Sequence, residues 1–192
     1  MTRRERNVER MDPVRELKVR AEILQTKLEA KDSASFARLR ALTELRHADD
    51  VSVIAKAAGF RRKHCLAVVA RECGFASWEQ ARVVLGGGAG DGDFGTLLYG
   101  NGVDASAIMN RWFAHYEEAR DALKDLPDEP RHYLLAYKRH CVIVEGPFVA
   151  ALGLDPDDPD WRAIGWDWVR PLDPVARRRL YGRRLRETRG DR

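Results

Sequence analysis

The sequence predicts an α+β fold, predominantly α-helical, with an N-terminal helical bundle followed by a helical region around a small β-sheet. Three observations predict it. From Asp12 to about residue 85, apolar side chains recur at helical spacing between capping signals. A glycine-rich stretch over 86–93 breaks that pattern. Beyond it, two short β-rich runs stand among further helical segments. The expected division is a flexible N-terminus at 1–11, a bundle at 12–85, the linker at 86–93, and an α+β region at 94–192 that ends in a basic helix.

Asp12-Pro13 starts the first helix, because Asp caps and Pro suits the first helical position. Val14, Leu17, Ala21, Leu24 and Leu28 then share one face. That stripe spans little more than two heptads before Lys31 falls in register. It packs on the helices that follow, or it pairs two copies of the chain through Val14, Leu17, Leu24 and Leu28. Ser33 is expected to cap a second helix carrying Phe36, Leu39 and Leu42. Asp49 or Asp50 is expected to cap a third, with Val51, Ile54 and Ala58 inward and Gly59 at its end. A fourth helix runs from about Arg61 to Cys73 and stops at Gly74. A fifth starts at Ser77, where Ser77 and Gln80 have the spacing of a capping box.

The run Gly90-Asp91-Gly92-Asp93-Phe94-Gly95 matches G-x-G-x-x-G in spelling only. That motif needs a strand before it and a helix N-terminus after it to hold phosphate. Here a helix precedes, and an apparent strand, Phe94 to Tyr99, follows. A long helix is expected over Ser106 to Lys124, with Ile108, Trp112, Tyr116, Ala119 and Leu123 on one face. Tyr133–Tyr137 and Cys141–Val144 read as strands, although Lys138-Arg139-His140 between them lacks Gly or Asn. Pro147, Asp158-Pro159 and Asp173-Pro174 open three further helices.

The net charge is +4, unevenly placed. Residues 1–85 hold 18 basic and 12 acidic side chains, 86–170 hold 8 and 15, and 171–192 hold 8 and 3. The acidic middle and the basic ends attract each other within the molecule, or a basic end meets nucleic acid or an acidic protein partner. The three cysteines, Cys65, Cys73 and Cys141, have no framework spacing, which argues against a secreted disulfide fold. The charged start, Met-Thr-Arg-Arg-Glu-Arg, is followed by no apolar leader, and no run nears the roughly 18–20 residues of a membrane span. A cytoplasmic protein with no membrane contact is expected.

The stretch Lys63-His64-Cys65-Leu66-Ala67-Val68-Val69-Ala70-Arg71-Glu72-Cys73-Gly74-Phe75-Ala76-Ser77-Trp78 resembles a small helical module of bacterial proteins. That module is labelled glyoxalase-related because it accompanies some glyoxalase-superfamily proteins. The label refers to association, and no metal-ligand motif comes with it. The segments Leu152–Trp161 and Ile164–Trp168 resemble bacterial proteins of unassigned function. Ile54 to Val69 also looks like the helix-turn-helix of bacterial repressors, with Gly59 in the turn. That likeness implies nucleic-acid contact through Arg61, Arg62, Lys63 and His64 at the start of the fourth helix. The basic helix adds Arg177, Arg178, Arg183 and Arg184, which instead can dock on the acidic middle. Leu66 and Ala67 cannot donate to a base edge, so backbone contact fits better than base reading.

No cysteine or histidine spacing matches a metal site, and the turn Asp155, Asp157, Asp158, Asp160 lacks the Gly and distant Glu of a calcium loop. No cofactor is expected. The competing reading is a pocket in the second half built from Trp112, His115, Tyr116, His132, Tyr137, Trp166 and Trp168. With Glu117, Glu118 and Glu145 nearby in sequence, it would serve a small-molecule-binding protein or an acid–base enzyme. The favoured reading is a non-enzymatic binding or regulatory protein.

Overall fold

The computed structural model describes residues 12–88, 92–99 and 110–188. Asp12 accepts the Val14 N–H at 3.0 Å and opens α1 (Pro13–Glu29). Leu17, Ala21 and Leu24 on its inner face are buried in the chain's own core. Val14 and Leu28 are partly buried against the same core. The stripe considered for pairing two copies is therefore consumed internally.

Helix α2 (Ser33–Arg38) is capped by Asp32 and not by Ser33, since the Asp32 carboxylate accepts both the N–H and the hydroxyl of Ser35. Two short 3₁₀ turns, Leu39–Ala41 and Thr43–Leu45, lead to α3 (Asp50–Ala57), which Asp49 caps. Val53 is the buried residue of α3, while Val51 and Ile54 point to solvent, the reverse of the expected face. Helix α4 (Arg62–Glu72) packs on α1 and buries Cys65, Val68, Val69 and Ala70. The Ser77 hydroxyl accepts the Gln80 N–H and starts α5 (Trp78–Leu85). Gln80 reaches back to the Ala76 N–H, one residue before the expected partner.

Past residue 92 the reading departs further from expectation. Leu97–Tyr99 is a 3₁₀ turn, not part of a strand. Phe94 and Gly95 instead exchange backbone hydrogen bonds with Lys138 at 2.9 and 2.8 Å. Gly95 lies back to back with Gly74, and both have positive φ. A Cβ on Gly95 would sit 2.7 Å from the Gly74 carbonyl oxygen. The helix expected over 106–124 is shorter. Residues 106–109 lie outside the described residues, and Arg111–Phe113 is strand β1. Pairing with Cys141–Ile143 outweighs the helical spacing of Trp112. Helix α6 (Tyr116–Lys124) follows.

Strands β2 (His132–Tyr137) and β3 (His140–Glu145) form the expected hairpin. Lys138, at φ 52°, takes the left-handed turn position where Gly or Asn is usual. The sheet is antiparallel in the order β1-β3-β2. Alternation along the strands turns Tyr133, Tyr137 and Trp112 to one side, where they meet Trp161 and Tyr99. Ala136 and Cys141 face the other side, which α6 covers. Three further helices complete the chain: α7 (Gly146–Ala151), α8 (Pro159–Ala163) and α9 (Pro174–Glu187). One apolar cluster runs from Leu17 to Leu185 and joins the helical bundle to the sheet.

Helix α9 is where the basic C-terminus is spent. Arg184, 8% exposed, donates to the carbonyls of Leu97 and Leu152 at 3.1 and 2.8 Å. Arg177, 4% exposed, donates to Trp168, Val169 and Gly87 at 2.8, 3.0 and 3.2 Å. Arg179 and Arg183 bind the buried Asp160, and Arg183 also meets Asp158. Arg178 lies 3.4 Å from Asp12. From α1, Arg20 donates to Thr188 and to the Leu185 carbonyl. Arg177, Arg178, Arg183 and Arg184 are thus committed within the chain and do not form a phosphate-facing stripe.

Arg184→Met is expected to lower unfolding free energy by about 2–4 kcal/mol, because it strands two buried carbonyls. A denaturant midpoint that falls with unchanged slope would show it. Asp160 carries a pH dependence. Burial pushes its pKa up, but the hydrogen bonds from Arg179 and Arg183 outweigh burial and hold it below the ordinary carboxylate value. Its stabilisation is complete above the unfolded pKa of about 3.9 and is lost as pH falls through the depressed folded value. Asp160→Asn should cost about 2–3 kcal/mol at neutral pH, since the arginines are partly exposed. The gap to the native chain should close as pH falls through the depressed folded value in denaturant titrations repeated across pH.

Candidate functional site

Residues Trp166–Trp168 run beside β2. Leu134 N–H donates to the Trp166 carbonyl at 2.8 Å, and Trp168 N–H to the Leu134 carbonyl at 2.9 Å. This short parallel bridge sets Asp167, 2% exposed, beneath α6. One carboxylate oxygen accepts the N–H groups of Val169 and Arg170, each at 2.9 Å. The other accepts the Tyr116 hydroxyl at 2.7 Å, with Arg120 Nε 3.8 Å away. Burial, reinforced by this bond to Asp167, pushes the Tyr116 pKa far up, so the phenol stays a neutral donor. Cys141 lies on the same face, and burial pushes its thiol up to about 11.

Above this floor is a cavity of about 280 Å³. His115, Glu117, Arg139, His140 and Arg170 line it. They come from three segments, namely the start of α6, the β2–β3 turn and the bend after Asp167. Arg170 stacks 4.1 Å over the Tyr116 ring and bonds Glu117 at 2.7 Å. His115, at the N-cap of α6, makes no side-chain capping bond. The amino end of α6 forms part of the cavity wall, and Glu117 and Glu118 in its first turn offset its positive dipole end. Arg139, His115 and His140 are exposed and add donors. The arrangement can hold a small anion by charge-assisted hydrogen bonds over an apolar and phenolic floor.

The seven aromatic and histidine residues expected to make one pocket fall in four places. His115 and Tyr116 line the cavity just described. His132 and Trp166 line a second cavity of about 330 Å³ at the other end of α6, where Arg131 stacks 4.3 Å over Trp166. There His132 Nε2 lies 3.7 Å from Glu145. Trp112 and Tyr137 stand on the opposite face of the sheet, in a ring cluster with Tyr99. Trp168 is fully buried and packs edge-on to Tyr181 at 4.8 Å. The single pocket is corrected to a divided one, because strand alternation sends neighbouring side chains to opposite faces.

Arg61, Arg62 and Lys63 are exposed at the start of α4. Arg62 pairs with Glu22 at 2.6 Å, both about half exposed. His64 stacks on Phe60 at 4.8 Å and accepts the Arg61 N–H at 2.9 Å, so it caps its own helix. Only this first turn of α4 reaches solvent fully, since the remainder is buried or half-buried.

Sequence reasoning missed Asp167, Arg139, Cys141 and Arg170 as members of the site. Their only sequence signal was the charged turn Lys138-Arg139-His140 between two apolar strands. Among the described residues no set of three His, Cys, Asp or Glu side chains gathers as a metal site. The cysteines are free and buried. No helix of the described residues is long and apolar enough to cross a membrane. Comparison of the chain with family models, with curated proteins and with solved structures gives no match.

Tyr116→Phe removes one acceptor contact of a buried carboxylate. A loss of about 1–2 kcal/mol in unfolding free energy is expected. Calorimetry should show a fall in Tm of several degrees, and an unchanged Tm would mean that this bond does not hold the floor together.

Proposed function

We propose that the protein is a small-molecule-binding protein whose ligand is a small anion, a carboxylate or a phosphate ester, held in the cavity at the amino end of α6. One observation carries this reading: His115, Arg139, His140 and Arg170, brought from three segments, line the same cavity, whose one carboxylate, Glu117, is held by Arg170. The Tyr116–Asp167 bond supports it by fixing the floor, so the donors stand on a rigid base. A cavity of about 280 Å³ fits a ligand of few heavy atoms. Binding suits the arrangement better than catalysis, because among the described residues neither His115 nor His140 bonds a carboxylate that would orient it as a base.

Titration with inorganic phosphate and with acetate, followed by amide chemical shifts, tests this. Saturable shifts are expected at His115, Arg139 and His140. Arg139→Ala should weaken binding about tenfold, the loss of one charge-assisted hydrogen bond. Shifts that do not saturate, or an Arg139→Ala protein that binds as tightly as the native one, would count against the site.

A second reading has its own observation, the exposed turn Arg61, Arg62 and Lys63. It supports contact with nucleic-acid phosphates without base reading. Duplex DNA affinity should then fall steeply with salt, and replacing Arg62 and Lys63 by Ala should reduce the slope by about two. Absence of binding at low salt disposes of it.

A further inference from the structure

We propose that the cleft enclosed by α1, α2, α3 and the start of α4 is a second binding site, for an amphipathic carboxylate with an unbranched acyl chain. The cleft has a volume of about 640 Å³, within the roughly 300–1,000 Å³ of small-molecule sites. Its wall is apolar: Leu28, Phe36, Ile54 and Phe60, with the buried Cys65. Ile54 is 52% exposed, and Leu28, Phe36 and Phe60 around the cleft are only partly buried. A ligand chain covering it would remove that surface from water.

Two cations, Lys31 and Arg61, line the cleft; both are exposed, and among the described residues neither pairs with a carboxylate. Arg61 donates to the Phe60 carbonyl at 3.2 Å. The one lining carboxylate, Glu29, accepts from Gln25 at 3.0 Å. An apolar wall with two exposed cations against one carboxylate matches a ligand with an apolar tail and an anionic head. A volume of about 640 Å³ is that of a small-molecule site and accommodates a slender chain. The cleft shares no residue with the cavity at α6, so the two sites stand or fall separately.

The full chain is titrated with hexanoate, octanoate, decanoate and decan-1-ol below their aggregation limits, with amide shifts as the readout. Saturable shifts are expected at Leu28, Phe36, Ile54 and Cys65. Affinity should rise about tenfold for each two methylenes until the cleft is full. Arg61→Glu should weaken decanoate about fivefold to tenfold and leave decanol unchanged. Ala58→Trp, at an exposed lining position, should block both ligands. Affinity that is flat with chain length overturns the proposal without any variant. So does an equal loss of acid and alcohol in Arg61→Glu, or unaltered binding in an Ala58→Trp protein whose remaining spectrum is native. A helical peptide that binds where the carboxylates do not would make the cleft a protein-docking groove and likewise overturn it.

Discussion

Arginine side chains of the last helix bonded to buried backbone carbonyls hold the two halves of this protein together. A guanidinium presents five donors in a rigid fork, so one side chain serves carbonyls from distant segments. Arg184 joins the turn at Leu97 to the end of α7, and Arg177 joins the stretch after α5 to residues 168–169. Those carbonyls lie in turns, bends and helix ends, where no ladder supplies a partner. Buried and unpaired, each would cost a kilocalorie or more. Helix α9 therefore works as a polar strap inside an apolar core, and its position makes α1, the 92–99 turn and the sheet region one body.

The strap also explains the charge pattern. The acidic middle and the basic end are complementary surfaces of one fold, with Arg179 and Arg183 closing on Asp160. Exposed cations are scattered over the surface, and two of the local groups they form are the turn opening α4 and the β2–β3 turn beside the start of α6. The second group differs from the first because a concave surface and a hydrogen-bonded floor lie beneath it. Convergence on a cavity, more than net charge, separates a ligand site from a solvated basic turn.

The helix-turn-helix likeness illustrates how local sequence patterns and packing diverge. The turn at Gly59, the cap at Arg61 and the apolar run of α4 are all present. A recognition helix must keep one face free along several turns. Cys65, Val68 and Val69 turn α4 into the central helix of the bundle, pressed on α1, and leave only its first turn outside. The apolar cleft lies beside that turn, with Phe60, Arg61 and Cys65 in its wall.

Much of the architecture was legible because it is written in short-range terms. Asp12, Asp49, Ser77, Asp158 and Asp173 cap helices at the positions their neighbours dictate, and the β2–β3 hairpin follows from branched and aromatic runs. Where two local signals competed, the reading failed. Trp112 has helical spacing to Tyr116, yet its strand pairing with Val142 prevails, and Asp32 displaces Ser33 as a cap. The candidate site was legible only as residue types, in His115 and Tyr116. By itself the sequence determined the helices, the hairpin and the mostly helical α+β class, since caps and periodicity act over a few residues. Tertiary structure alone decided which arginines are buried, which face each aromatic takes and which donors share a cavity, because those depend on contacts between residues 50 to 90 positions apart, such as Tyr116 with Asp167 and Arg177 with Gly87.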